Sequence, residues 1–479
     1  MRRAALAVAS AALALPASAS ALVPAIPIPE IPPPQAPAAI GDPATPDPLV
    51  VPDPPRHPFM APNGRSNLHV DAYQTDVHQG PGPLGENTRR NSTFLEGVCA
   101  SVTFDSRGDI VTICVGLEGP KLVKLDPETL ELLSIFPLPP RILTSLSIFN
   151  DFAGGGYFYL DHTDRAVIPT TTRQIWVVRE QAGGFALDRT YDLSAQLAFG
   201  DKIISALPDW SGRIWFASIE GVVGWVDPAS GRVHSVRMGE EIANSFAVDE
   251  DGGVYVVTDK AFYRYEAGAG ATPVVAWRAE YENSGISKPG QVHAGSGTTP
   301  TVMGTEHVAI TDNADPMNVV VHSRADGSEV CKVPVFDQGS SATDQSLIAT
   351  PDSLVAENNY GYTGPLATND GAVTAPGLAR VDLATCSVVW ESDEIAPTVV
   401  PKLSAANGLV YTYTKPPGDA EDPWYLTALD WDTGETVFKR LAGAGLGFNN
   451  NYAPVTLGPD GSAYVGVLGG LARLADSGQ

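Results

Sequence analysis

One turn recurs eight times along this chain, and the recurrence leaves few folds open to it. From about residue 95, short apolar runs meet a turn rich in Gly, Asp or Asn and then resume. The turns begin near Asp105, Asp151, Asp209, Asp249, Met303, Pro351, Ala406 and Pro459, a mean spacing of about 51 residues. The runs are Val-, Ile- and Tyr-rich and short, as in Ile214–Ser218, Val254–Thr258 and Leu409–Tyr413. β-Branched and aromatic residues suit a pleated surface, so these runs read as strands. With 47 Gly and 41 Pro, long helices are excluded. The period is that of a four-strand unit. The expected fold is all-β: an eight-bladed β-propeller of four-stranded antiparallel blades over residues 66–479.

The chain opens with Arg2-Arg3, a 12-residue apolar run from Ala4 to Leu15, and the small residues Ala19-Ser20-Ala21. This is the pattern of a secretory signal peptide over residues 1–21. The run is too short to span a bilayer, and no later segment is apolar enough to be a transmembrane helix. Residues 22–62 hold 15 of the 41 prolines. Proline fixes φ and removes a donor, so residues 22–65 read as a disordered, extended Pro-rich linker. The formal net charge of -25 argues against nucleic acid as a partner. The protein is expected to be secreted, or held in a periplasm or cell envelope.

Four cysteines fit that compartment. Cys99 and Cys114 flank the turn at Asp105–Gly108 symmetrically, so they face each other across an antiparallel hairpin. That leaves Cys331–Cys386, about one repeat apart, to join neighbouring units. No Cys-x-x-Cys is present.

A second motif follows each hairpin: strand, tight turn, strand. Its clearest copy holds Ala428, Asp430, Thr433, Gly434 and Phe438. Another holds Asp382, Thr385 and Trp390, with Cys386 at the glycine position. Asp opens such a turn by bonding its own backbone, glycine supplies positive φ, and the last aromatic can pack on a neighbouring blade. The motif resembles the repeat of the quinoprotein alcohol dehydrogenase-like (PQQ-like) β-propellers, in which eight blades are usual. The resemblance implies the fold. Quinoprotein dehydrogenases of that group hold PQQ and Ca²⁺ beside an adjacent cysteine pair, and this chain has no such pair.

The last repeat stops short: after Ala463–Leu468 only Leu471-Ala472-Arg473-Leu474 follows. Its outer strand must come from elsewhere, because an open edge invites aggregation. Residues 66–94 are the expected ring-closing segment, Asn67–His78 being the favoured part; the alternative is that Asn67–His78 plugs or crosses one face.

Loops that lead into the innermost strands share a face with those between second and third strands. On that face we expect Asp161-His162-Thr163-Asp164, Asp312–Asp315, Glu357–Tyr360, Gly418–Asp422 and Asn449–Tyr452, an acidic and amide-rich set. Asp161, His162 and Asp164 are the catalytic candidates, a histidine flanked by carboxylates being able to act as a base. Glu96, Asn150, Asn244, Asn449 and Asn450 are the candidate Ca²⁺ ligands. Glu96-Gly97 resembles the opening motif of the gluconolactonase-like propellers, which implies a channel Ca²⁺. Two functions follow. One is a binding or scaffold module with an acidic loop face and a protein, glycan or small-molecule partner. The other is a metal-dependent enzyme, a quinoprotein-like oxidoreductase or a lactonase-like hydrolase.

Overall fold

The computed structural model describes residues 23–31, 33–141, 151, 153–268, 270 and 272–477. Residues 1–21, where a signal peptide is expected, and Asn150 lie outside them. Eight antiparallel sheets follow one another along the chain. Blade one is Gly97–Phe104, Ile110–Gly116, Gly119–Leu125 and Leu132–Pro137; blade three is Ile203–Pro208, Ile214–Ser218, Val222–Val226 and Val233–Arg237. In blades one to seven the four blade strands follow in chain order from the channel outward. Second and third strands such as Ile214–Ser218 and Val222–Val226 are buried on both faces, so they read as continuous apolar runs rather than as alternation.

The inner hairpin turns of blades one, three and four share one device. Asp105, Asp209 and Asp249 each accept the backbone N–H groups two and four residues on. Gly108, Gly212 and Gly252 supply the left-handed residue. Blade two corrects the expectation. Its hairpin, Tyr159–Leu160 to Ala166–Pro169, turns at Asp161, which accepts Thr163 and Arg165 N–H in the same way. Asp164 takes the glycine's place at φ 59°. Asp151 lies instead in the connection leading to Tyr159–Leu160.

Blade eight has Val455–Leu457, Ala463–Val467 and Gly470–Ala475 as its inner strands. Arg89–Phe94 adds the outermost strand, in register from Arg89↔Ala475 to Phe94↔Gly470. First and last blades are thereby held in one sheet-to-sheet ring.

Residues 66–78 do something else: they wind through the channel, all of them buried. Inner strands are sheet edges with unpaired N–H groups. Here the carbonyls of Ser66, Ala72, Tyr73, Thr75 and Asp76 accept from Leu160, Val248, Val302, Ala349 and Leu403 at 2.8–3.0 Å. Those donors belong to five different blades. Val77–His78 then pairs in parallel with Leu403–Ser404 as an extra innermost strand of blade seven.

The proline-rich stretch does not stand off as a spacer. Ala39–Ile40 pairs with Lys439–Arg440 on the outer edge of blade seven. Asp47 and Leu49 N–H donate to Asn407 and Ala405 carbonyls, and Ile28, His57, Met60 and Ala61 are buried. Proline suits this role, because an extended strap over exposed sheet edges needs few donors.

Adjacent blades are locked by aromatics. The Trp390 indole donates to the Trp431 carbonyl at 2.8 Å and lies over Gly434 in the next blade's turn. Trp277 does the same with the Arg324 carbonyl and Gly327. Both cysteine pairs are bonded. Cys99–Cys114 lies across the inner hairpin of blade one, at Cα–Cα 3.9 Å; Cys331–Cys386 ties the outer strand of blade five to a turn of blade six.

Candidate functional site

The channel segment stops the channel, and above it, on the face that carries the connections between blades, lies a cavity of about 430 Å³. Leu68 and His69 form its floor. Its walls are mainly apolar, with Phe94, Val98, Val115, Leu117, Val400 and Leu468 among them. The rim is also apolar: Leu117, Leu446 and Phe94 are 77%, 41% and 39% exposed.

Polar groups gather at the floor. His69 is 2% exposed. Its Nδ1 lies 3.1 Å from both Asp76 carboxylate oxygens and 2.9 Å from Ser346 Oγ. Asp76 also bonds Ser346 Oγ and the Lys402 ammonium, and neither Asp76 nor Lys402 is exposed. Burial alone would raise the Asp76 carboxyl; Lys402 and His69 outweigh it and hold the carboxyl below its ordinary range. Burial lowers His69, so the ring is neutral near pH 7. A neutral ring facing a carboxylate at Nδ1 keeps its proton there. Nε2 is then an acceptor, and it is buried with no hydrogen-bond partner among the described residues.

Other groups surround this one. Asp344 lines the cavity, and burial, opposed by the Val292 N–H at 2.6 Å, pushes its carboxyl up to about 8. The Tyr157 ring stacks on His69 at 6.0 Å, and its hydroxyl donates to Asn244 Oδ1 at 2.8 Å. At the edge, Arg141 donates to the Asp151 carbonyl, and Lys202 pairs with the Asp151 carboxylate at 2.6 Å.

The residues singled out from sequence are dispersed. Glu96 reaches the cavity, but exposed and at its mouth. Asn244 bonds Tyr157 and the Gly297 carbonyl. Asn449 bonds Tyr362, Thr368 and the Pro365 carbonyl, and Asn450 bonds Thr398 and the Ala453 and Gly466 carbonyls. These amides thus spend their oxygens inside the protein. Asp161, His162 and Asp164 occupy the blade-two hairpin turn, on the face opposite the cavity; Asp161 pairs with Arg165 at 2.7 Å and Asp164 accepts the Ser106 N–H. Their carboxylates do turn chemistry. Among the described residues no group of three or more His, Cys, Asp or Glu side chains is arranged to hold a metal.

His69, Asp76, Ser346, Asp344 and Lys402 were not singled out from sequence. The signal for the first two was present: His69, Asp71, Asp76 and His78 crowd a partly apolar stretch that has no partner hairpin.

No family profile matches the chain. An uncharacterised protein of Archaeoglobus fulgidus is 29% identical over 323 residues, 59% of this chain, and the chain spans 62% of that relative's length. Among solved structures, the C-terminal WD40 domain of Sif2 superposes with a TM-score of 0.51 at 12% identity, covering 82% of this chain and 99% of that one. BamB from Moraxella catarrhalis gives 0.45 at 12% identity over 71% of this chain and 98% of its own. A streptogramin B lyase gives 0.41 at 11% identity over 81% and 97%. At these identities the likeness is one of fold. No helix among the described residues is long and apolar enough to cross a membrane.

Proposed function

We propose that this is an exported binding propeller that takes a small, largely apolar molecule into the mouth of its channel. The blind cavity of about 430 Å³ carries the reading. Its size lies within the range of ligand pockets, roughly 300–1,000 Å³, and it has the expected make-up of apolar walls with a few convergent polar groups. Export is supported by the two disulfides. Kinship with the PQQ-like repeat is supported by the Asp430 turn, whose carboxylate accepts the Asp432 and Thr433 N–H groups and the Thr433 hydroxyl. A Ca²⁺-dependent reaction draws no support from the cavity, since Asn244, Asn449 and Asn450 are bonded elsewhere.

The test is a fluorescence titration with the neutral apolar dye N-phenyl-1-naphthylamine. One site per chain is expected. Ala100→Trp, which projects an indole from a cavity-lining position, abolishes binding while leaving the melting temperature within a few degrees. Absence of saturable binding, or binding indifferent to Ala100→Trp, overturns the proposal.

A further inference from the structure

The floor of the cavity has a polarity of its own, and it narrows the class of ligand. This argument rests on the cavity being a binding site. Lys402 neutralises Asp76, and Asp76 fixes the His69 proton on Nδ1. His69 lines the cavity, and Nε2 is the ring nitrogen this network leaves without a partner. That atom is buried and unpartnered among the described residues. A buried acceptor with no donor is costly, and one hydrogen bond removes the cost. We propose that the ligand is a neutral molecule with an apolar body ending in a hydroxyl group, and that this hydroxyl donates to His69 Nε2.

Three observations favour an alcohol over its charged relatives. A carboxylate would bring its lone pairs against that of Nε2, inside a protein already at net charge -25. An ammonium would need a counter-charge at the floor, and the Asp76 carboxylate is already paired with Lys402. Asp344, the other floor-side carboxyl, is buried with a backbone N–H and is protonated near pH 7. It adds a second neutral polar group within the lining. The apolar walls then bury the rest of the chain of such a molecule.

The experiment is displacement of N-phenyl-1-naphthylamine by two isomers, octan-1-ol and 1-methoxyheptane. They match in formula and differ in the donor. The alcohol is expected to displace the dye at least tenfold more tightly than the ether. Octanoate and octylammonium are expected to compete no better than the ether. In His69→Phe both isomers still displace the dye, and the tenfold preference is lost. The wild-type comparison stands alone if that variant does not fold. Equal displacement by alcohol and ether overturns this inference and leaves the cavity reading intact. A protein that binds neither the dye nor the isomers overturns both.

Discussion

Replacing Lys402 with Met removes a charge and little volume, and it isolates the fully buried ion pair at the cavity floor. Lys402 and Asp76 are both 0% exposed and bonded to each other. Removing one partner of a buried ion pair leaves an uncompensated charge, at a cost of about 3–5 kcal/mol. Asp76 keeps the His69 and Ser346 hydrogen bonds, so the lower half of that range applies. With an unfolding entropy of roughly 2.1 cal/mol/K per residue over the whole ring, about 4 kcal/mol lowers Tm by about 5 °C. The pH dependence identifies the cause. In the wild type the Asp76 carboxyl is held low, so its contribution is present above the unfolded carboxyl range and is lost only in acid. In Lys402→Met the buried carboxyl is raised instead. The native state then holds a proton that the unfolded chain sheds, and the penalty grows as pH rises. Calorimetric melts at pH 5 and pH 7.5 should show the larger deficit at pH 7.5. The double variant Asp76→Asn/Lys402→Met should recover more than about 1 kcal/mol relative to the sum of the two single changes. A Lys402→Met melt within about 1 °C of wild type at both pH values would refute the buried-pair reasoning.

Further outcomes follow from the same structure. Between pH 6.5 and 8 the Tm should fall, because buried Asp71 and Asp344, raised to about 7 and about 8, keep protons that the unfolded chain has lost. Below pH 6.5, His57 and His78, lowered to about 4 and about 3, act in the opposite direction and flatten the profile; Asp344→Asn should reduce the alkaline slope. Gly434→Ala should destabilise at least twice as much as Gly231→Ala in urea unfolding. Both glycines are left-handed, at φ 72° and 71°, but only at Gly434 would a Cβ meet the Trp390 ring, at 2.5 Å. Removing Cys331–Cys386 by double Ser substitution should cost about 4 kcal/mol, against about 3 for Cys99–Cys114, if loop entropy dominates over sequence separations of 55 and 15.

The ring was legible because its signals are local. An Asp that bonds N–H groups two and four residues on, with a left-handed residue at the third, marks the inner turns of blades one to four within five residues. Blade two was misplaced because Asp164 stands where Gly108, Gly212 and Gly252 stand, so its turn lacked the glycine. The same substitution made Asp161, His162 and Asp164 look like chemistry. Cys99 and Cys114 were legible by symmetry about one turn. The floor of the site was not legible, because its contacts are remote and aperiodic. His69 meets Ser346 across 277 residues and Asp76 meets Lys402 across 326. Residues 66–78 form no hairpin, and Val70, Gln74 and Asp76 are left-handed, so no period of two or of 3.6 announces them. The strap of residues 23–65 was misread for a related reason: its composition favours an extended chain, and composition does not say what the chain lies against.

The site exists only if residues 66–78 fill the channel, and amide hydrogen exchange measures this at four positions. Val248, Val302, Ala349 and Leu403 N–H point from inner strands into the channel, and each is satisfied by the channel segment alone. These four amides should exchange on the timescale of the central strands, such as Ile214–Ser218, and should lose that protection together when residues 66–78 are replaced by a Gly/Ser sequence. If they exchange in the native protein as fast as exposed turns such as Ser230–Gly231, the channel is open, the cavity has no floor, and the account fails.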